Sequence, residues 1–233
     1  MIVSMHQPNY LPYLGFFQKM AMADLFIFLD VVQLTEGGYT RRVRIRTKEG
    51  SDWLSIPMAG ANRLAPIDQA FLLPDDRWRK KHRNLLTANY DQAPFFDREF
   101  VETYYRQPFT GLREMNEYGI QYLKERLGIR TPTMRASGLP VDRTLKSTDL
   151  LVEILSRAGA DVFISGASGR NYLDEEKFAE AEIELRYLDF HPLPYPQRWP
   201  GFVPSLSALD VVFNMPPDDC HRMVSTVSGD TAP

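Results

Sequence analysis

MIVSMHQPNYLPYLGFFQKMAMADLFIFLD, residues 1–30, is the stretch on which the fold turns. MIVSM is short, apolar and partly β-branched, and it stops at HQPNYLP, where Pro8 and Pro12 rule out a continuing central strand. GFFQKMAMA carries aromatic and Met residues on one helical face, and LFIFLD is a dense apolar run of the kind buried on both faces of a sheet. A strand, loop, helix and strand within about thirty residues has the size of a βαβ unit. The reading is an α/β chain built on a parallel sheet. In such sheets ligands gather at the carboxyl ends of the strands, which is where His6, Gln7, Asn9 and Tyr10 stand.

Further along, Val43, Ile45 and Thr47 alternate with Arg42, Arg44 and Arg46, the period-2 pattern of a half-buried strand, and KEG supplies a turn before DWLSIPM. The expected hairpin carries Arg42, Arg44 and Arg46 side by side on its exposed face, with Arg41 and Lys48 close by. Residues 74–128 read as helical in three stretches, the last closing on Gly128 as a helix C-cap. TPTMRASGLP reads as a strand and turn, and Ser147 or Thr148 as the N-cap of a helix through LLVEILSRAGA. DVFISG is a second short buried strand that runs into ASGRNYLDEEKF, mirroring the start of the chain. HPLPYPQRWPGFVP is too rich in proline for regular structure and precedes a helix around SALDVVFN. The pattern gives one domain over residues 1–228, with the helical segment at about 74–128 inserted or appended, and a flexible tail at 229–233.

Composition narrows the function. Hydrophobic residues make up 44% and charged residues 24% of 233 positions, ordinary globular usage. Lys and Arg (27) nearly balance Asp and Glu (30) for a net charge of -3, so no basic field recommends nucleic acid as a partner. Cys220 is the only cysteine, which excludes an internal disulfide and a cysteine-rich zinc site. The apolar start is too short for a signal or spanning segment, so a cytoplasmic protein without membrane insertion is expected.

Five constellations carry candidate chemistry. His6, Gln7 and Asn9 in a loop between strand and helix can turn amides and an imidazole toward a phosphate, or simply shape a turn. The arginines at 41–46 can bind carboxylate or phosphate bidentately, or guard an edge strand. Lys146 before Ser147 and Thr148 pairs an ammonium with helix-start amides, or belongs to a plain cap. Gly166, Ser168, Gly169 and Tyr172 form a Gly-containing loop after a strand, which matches neither the dinucleotide fingerprint nor the P-loop. His191, with Gln197 and Asp210 downstream, stands in a rigid proline loop suited to acid–base work or to packing. His82, inside RKKHR, and His221 read as surface residues. No metal site is expected.

HQPNYLPYLGFFQKMAMADLFIFLDVVQ, KSTDLLVEIL, GADVFISGASGRNYLD, HPLPYPQ and FVPSLSALDVVFN, in order over nearly the whole chain, resemble the WbqC-like proteins. That resemblance implies a bacterial biosynthetic enzyme associated with O-antigen gene sets, for some members of which glycine or aminoacyl transfer to a sugar has been suggested. GGYTRRVR stands where the family pattern after the second strand has Asn-Arg. The opening strand, His-containing loop and helix also resemble the nucleotidylyltransferase superfamily that includes pantothenate synthetase, which implies a Rossmann-like core. His6 matches the first histidine of that superfamily's motif, and no second histidine follows.

Together these readings predict a transferase or ATP-dependent amide-forming ligase. It activates a small carboxylate such as glycine with ATP and magnesium and passes the acyl group to an amine such as that of an amino sugar. His6, Lys146, His191 and Asp210 are the expected catalytic residues. Gln7, Asn9, Gly166, Ser168, Gly169 and Tyr172 are expected at the nucleotide, and Asp30, Gln33, Arg41, Arg42, Arg44 and Gln197 at the substrate. The alternatives are ATP-independent acyl or glycosyl transfer from a pre-activated donor, or a non-catalytic module that binds a nucleotide-sugar. A homo-oligomer is compatible with every one of them.

Overall fold

The structure, a computed structural model, describes residues 1–58, 60–62 and 64–225, so the tail expected at 229–233 lies outside the described residues. Strand β1 (Ile2–His6), helix α1 (Leu14–Ala21) and strand β2 (Leu25–Phe28) form the anticipated unit. β1 and β2 run parallel, with Val3 opposite Leu25 and Met5 opposite Ile27. Three further parallel strands complete the main sheet: β5 (Thr133–Arg135), β6 (Val162–Gly166) and β7 (Glu184–Leu188). Their order is β5-β2-β1-β6-β7. In chain order that is third, second, first, fourth, fifth, the doubly wound arrangement of a Rossmann-like core.

Alternation along the strands sends side chains into two cores. Val3, Met5, Ile27 and Phe163 face a core closed by α5 (Ser147–Ala158) and α6 (Glu175–Glu180) through Leu150, Leu151, Ile154, Leu155 and Phe178. Phe26 and Phe28 face the larger core, shared with α1, α7 (Ala208–Asn214) and α8 (Pro217–Ser225). The helical segment packs into this second core as α2 (Arg77–Tyr90), α3 (Arg98–Arg106) and α4 (Leu112–Arg126). Gly128 at φ +68 follows α4 in the left-handed conformation that a non-glycine residue adopts only at a cost.

Strand β3 (Arg42–Thr47) pairs antiparallel with β4 (Gly50–Ser55), as the alternation predicted. The row of exposed arginines does not form. The Arg42 guanidinium lies 4.4 Å from the Trp53 ring centroid, and Arg44 donates to Ser51 Oγ. Arg46 is buried, and its Nη atoms donate to the carbonyls of Thr47, Gly50, Trp199, Pro200 and Gly201. The proline-rich segment therefore covers Arg46 on what would have been a solvated strand face, and the Arg46 guanidinium ties that segment to the hairpin turn through backbone carbonyls of both.

Two other expectations are corrected. Neither Ser147 nor Thr148 caps α5. Lys146 takes the cap position with no side-chain cap bond, Ser147 lies inside the helix at φ 51, and the Thr148 hydroxyl accepts from the Asp174 amide instead. His82 is not at the surface: it is 3% exposed, with Tyr10 Oη 3.0 Å from its Nδ1. It shares one helical stripe with Trp78, Leu86 and Tyr90, which burial of that face carries inward. Strand β7 and helix α8 were not anticipated. β7 shows the half-buried alternation of an edge strand, Leu185 and Tyr187 partly covered and Glu184 and Arg186 exposed.

Candidate functional site

Strand order reverses between β1 and β6, so the loops leaving their carboxyl ends diverge to opposite sides of the sheet and leave a crevice between them. A cleft of about 560 Å³ occupies that place. His6, Gln7 and Asn9 line it from β1, and Ser165, Gly166, Ser168 and Tyr172 from β6 and its loop. Tyr13, Gly15, Phe16 and Lys19 contribute from the start and inner face of α1, Thr35, Gly38 and Tyr39 from the loop after β2, and Phe190 and Ser205 from the far side. Among the described residues, no Asp or Glu lines it.

His6 packs edge-on against Phe16, ring centroids 5.3 Å apart, with Nδ1 3.0 Å from the Gln7 carbonyl. Burial, then the neighbouring Lys19, pulls its pKa down to about 3, so the imidazole is neutral at physiological pH. The carbonyl takes the Nδ1 proton, which leaves Nε2 as a hydrogen-bond acceptor. His6 is thus suited to receive an N–H or O–H, not to place a positive charge on a phosphate as the sequence suggested.

The cation of the cleft is Lys19, which the sequence reading passed over. It is 4% exposed and donates to the Met5 carbonyl at 2.7 Å, and burial lowers its pKa to about 7. The signal was present: Lys19 lies three residues after Phe16 and next to Met20, on the face that α1 buries.

The β1 wall is stitched to the loop after β2. Gln7 Oε1 accepts from Thr40 Oγ1 at 2.9 Å, and the Tyr10 amide donates to the Tyr39 carbonyl at 3.0 Å. Asn116 of α4, fully buried, donates to the carbonyls of Pro8 and Thr40, both at 2.8 Å. Gly15 admits no side chain, since a Cβ there would stand 2.5 Å from Tyr13 Cε2 and 2.7 Å from Phe190 Cγ. Gly166 is open, with nothing within 4 Å of a would-be Cβ.

Six residues expected at the site thus meet in one cleft: His6, Gln7, Asn9, Gly166, Ser168 and Tyr172. The others are placed elsewhere. Gly169 is buried behind the loop, where a Cβ would strike Ser165 Oγ. Lys146 is exposed at the start of α5. Asp30 is fully buried and accepts from Ser137 N and Oγ and from Arg113 Nη1 at 3.0 Å. Gln33 is exposed and its backbone bridges Pro66, while Arg41, Arg42 and Arg44 belong to the hairpin region. His191 is exposed, Nδ1 3.1 Å from the Asp189 carbonyl. Asp210 is fully buried in α7, its carboxylate accepting from Tyr195 Oη at 2.7 Å and Gln197 Nε2 at 2.9 Å, and burial raises its pKa. Gln197 also holds the amide and carbonyl of Val203.

Among the described residues, no group of three or more His, Cys, Asp or Glu is placed to hold a metal ion, and no helix is long and apolar enough to cross a membrane.

The model of the WbqC-like protein family matches residues 7–222. The uncharacterized protein Rv1507c of Mycobacterium tuberculosis (strain ATCC 25618 / H37Rv) is 30% identical over 217 residues, 91% of this chain and 93% of that protein. No solved structure matches.

Proposed function

This chain belongs to the WbqC-like protein family, and on that premise we propose that it is a biosynthetic enzyme that activates a small carboxylate such as glycine with ATP and passes the acyl group to an amine, for instance that of an amino sugar. The observation that supports this most is the position of the cleft. It lies where the strand order reverses, between a His-containing loop and a Gly-containing loop, the place at which doubly wound sheets take nucleotides.

The residues present fit a polyphosphate. Lys19 offers a buried basic group, and among the described residues the lining holds no carboxylate to repel an anion. Gly166, with open space around it, admits close approach of a ribose or phosphate to the backbone. Magnesium would arrive on the nucleotide, because the cleft supplies no carboxylate for it. ATP supplies the leaving group that makes the carboxylate reactive. The protein's part is to hold the two reactants in line and to offer the neutral His6 Nε2 as an acceptor for the N–H of the incoming amine. Ser168, Tyr172, Gln7 and Asn9 surround these groups as hydrogen-bonding walls.

The missing carboxylate supports a second reading: transfer from a pre-activated donor with no ATP consumed. Carboxylate-dependent exchange of pyrophosphate into ATP, run over a panel of small amino acids and repeated with His6→Ala, separates the two. Exchange that the variant loses supports activation. No exchange with any carboxylate, together with no rise of the unfolding midpoint at millimolar ATP, overturns it in favour of a pre-activated donor.

A further inference from the structure

Lys19 presents an electrostatic problem that the protein alone does not solve. The residue is 4% exposed, its Nζ donates to the Met5 carbonyl, and among the described residues no acidic side chain lines the cleft beside it. A buried ammonium without a counter-ion is costly, and a structure that keeps one either leaves it neutral or receives its counter-ion from elsewhere.

Among the described residues, the groups around it offer no such partner. Of the elements packed against α1, β1 contributes His6 and β6 contributes no ionisable side chain. On α8 stand Asp218, Asp219, Cys220, His221 and Arg222. Asp219 is paired with Arg222, and Asp218, His221 and Arg222 line a different groove, beside Ala21 at the end of α1. Tyr13, Tyr39 and Tyr172 complete the ionisable lining of the cleft, and burial raises the pKa of Tyr13 and Tyr172.

We propose that Lys19 is the anion-binding residue of the cleft: it receives phosphoryl or carboxylate oxygens of the ligand on Nζ and takes up a proton as that ligand arrives. Without ligand the cleft then holds a lysine shared between its two protonation states near neutrality, beside a neutral imidazole, and with ligand an ion pair shielded from water. The lowered pKa of Lys19 in the free protein agrees with this picture. This inference rests on reading the cleft as the ligand site, and it concerns the charge of that ligand, not the reaction. Its consequence is a pH-dependent affinity: binding of the anion weakens about tenfold per pH unit above neutrality, because each bound anion must recruit one proton.

The test uses the full chain labelled at the ε-carbon of lysine. Only seven lysines are present, and Lys19→Arg assigns the signal of interest. The signal is titrated in free protein, then with saturating ATP, pyrophosphate alone, and glycine or acetate alone. The expected result is a midpoint near neutrality in free protein that rises by a unit or more with a ligand. A rise with pyrophosphate identifies a phosphoryl partner, and a rise with the carboxylates alone identifies the acyl substrate. A midpoint near that of free lysine without ligand overturns the proposal. So does an unmoved midpoint when ATP perturbs other cleft signals, a result that leaves nucleotide binding standing. A rise with pyrophosphate or a carboxylate while ATP does not bind retains the anion site and removes the nucleotide. No response to any of these anions removes both. Lys19→Met, if folded, is expected to lose at least tenfold in anion affinity and all proton uptake, whereas Lys19→Arg binds with no uptake.

Discussion

The hydroxyl of Tyr10 lies 3.0 Å from Nδ1 of His82, beneath the loop that forms one wall of the cleft. The Ser55 carbonyl accepts from the same imidazole, so Nδ1 is the acceptor and Tyr10 the donor, and the Tyr105 hydroxyl bonds Tyr10 in turn. One chain of hydrogen bonds thereby joins the cleft loop, the hairpin, α2 and α3. Tyr10→Phe leaves Nδ1 without a donor in a dry interior. The expected cost is about 1–3 kcal/mol of stability, read from urea midpoints at an unchanged slope.

Acid stability depends on the same histidine. Burial and nearby lysines lower the pKa of His82 to about 4 and of His6 to about 3, against 6.5 for an ordinary imidazole. Between about pH 4 and 6.5 the unfolded chain therefore binds protons that the folded chain refuses, and stability rises with pH across that window. Each histidine contributes up to about 1.4 kcal/mol per pH unit. Unfolding measured at intervals from pH 4 to 7 should show a shallower slope in His82→Gln by about one proton's worth. An unchanged slope would mean that His82 is charged in the folded protein.

Two glycines of one loop are expected to respond in opposite ways. A Cβ on Gly166 meets nothing within 4 Å, so Gly166→Ala leaves the unfolding midpoint within about 0.5 kcal/mol of the parent. If nucleotide lies against that backbone, the same change lowers ATP affinity at least several-fold in calorimetric titration. A Cβ on Gly169 collides with Ser165 Oγ and comes within 2.9 Å of Leu173 Cδ1, so Gly169→Ala costs about 1–3 kcal/mol and displaces a cleft residue as well.

Asn116→Ala deprives the carbonyls of Pro8 and Thr40 of their shared donor, at an expected cost of about 2–3 kcal/mol. Hydrogen exchange at the Tyr10 amide, which donates to Tyr39, should accelerate, because the two walls that Asn116 joins are then free to part.

The legible parts of the sequence were those with local causes. β1, β2 and β6 are apolar runs bounded by Pro, Gly or Asp, and the polar residues at the end of β1 marked one wall of the cleft because a strand was seen to stop there. Partners brought together from a distance were not legible. Asp30 reads as a ligand-facing carboxylate, yet its bonds go to Arg113 and Ser137, 83 and 107 positions away. Arg46 alternates correctly with its neighbours, and only the packing of residues 199–201 reveals why it is buried. His82 lies in a basic run that suggests a wet helix face, although Trp78 and Leu86, each four positions away, fix which side points inward.

The middle position of β1 governs when this protein becomes competent during synthesis. Ser4 bonds the carbonyl of Ile164, a separation of 160 residues, so one edge of the first strand made stays unpaired until the ribosome has released β6. Until then β1, β2, the hairpin and the helical segment are able to assemble, but the apolar edge is open to other chains. The two walls of the cleft, residues 6–9 and 165–172, come together in that same late pairing. A nascent chain stopped short of β6 carries one wall of the cleft without the other, and the pairing that brings the second wall in must close a loop of some 160 residues.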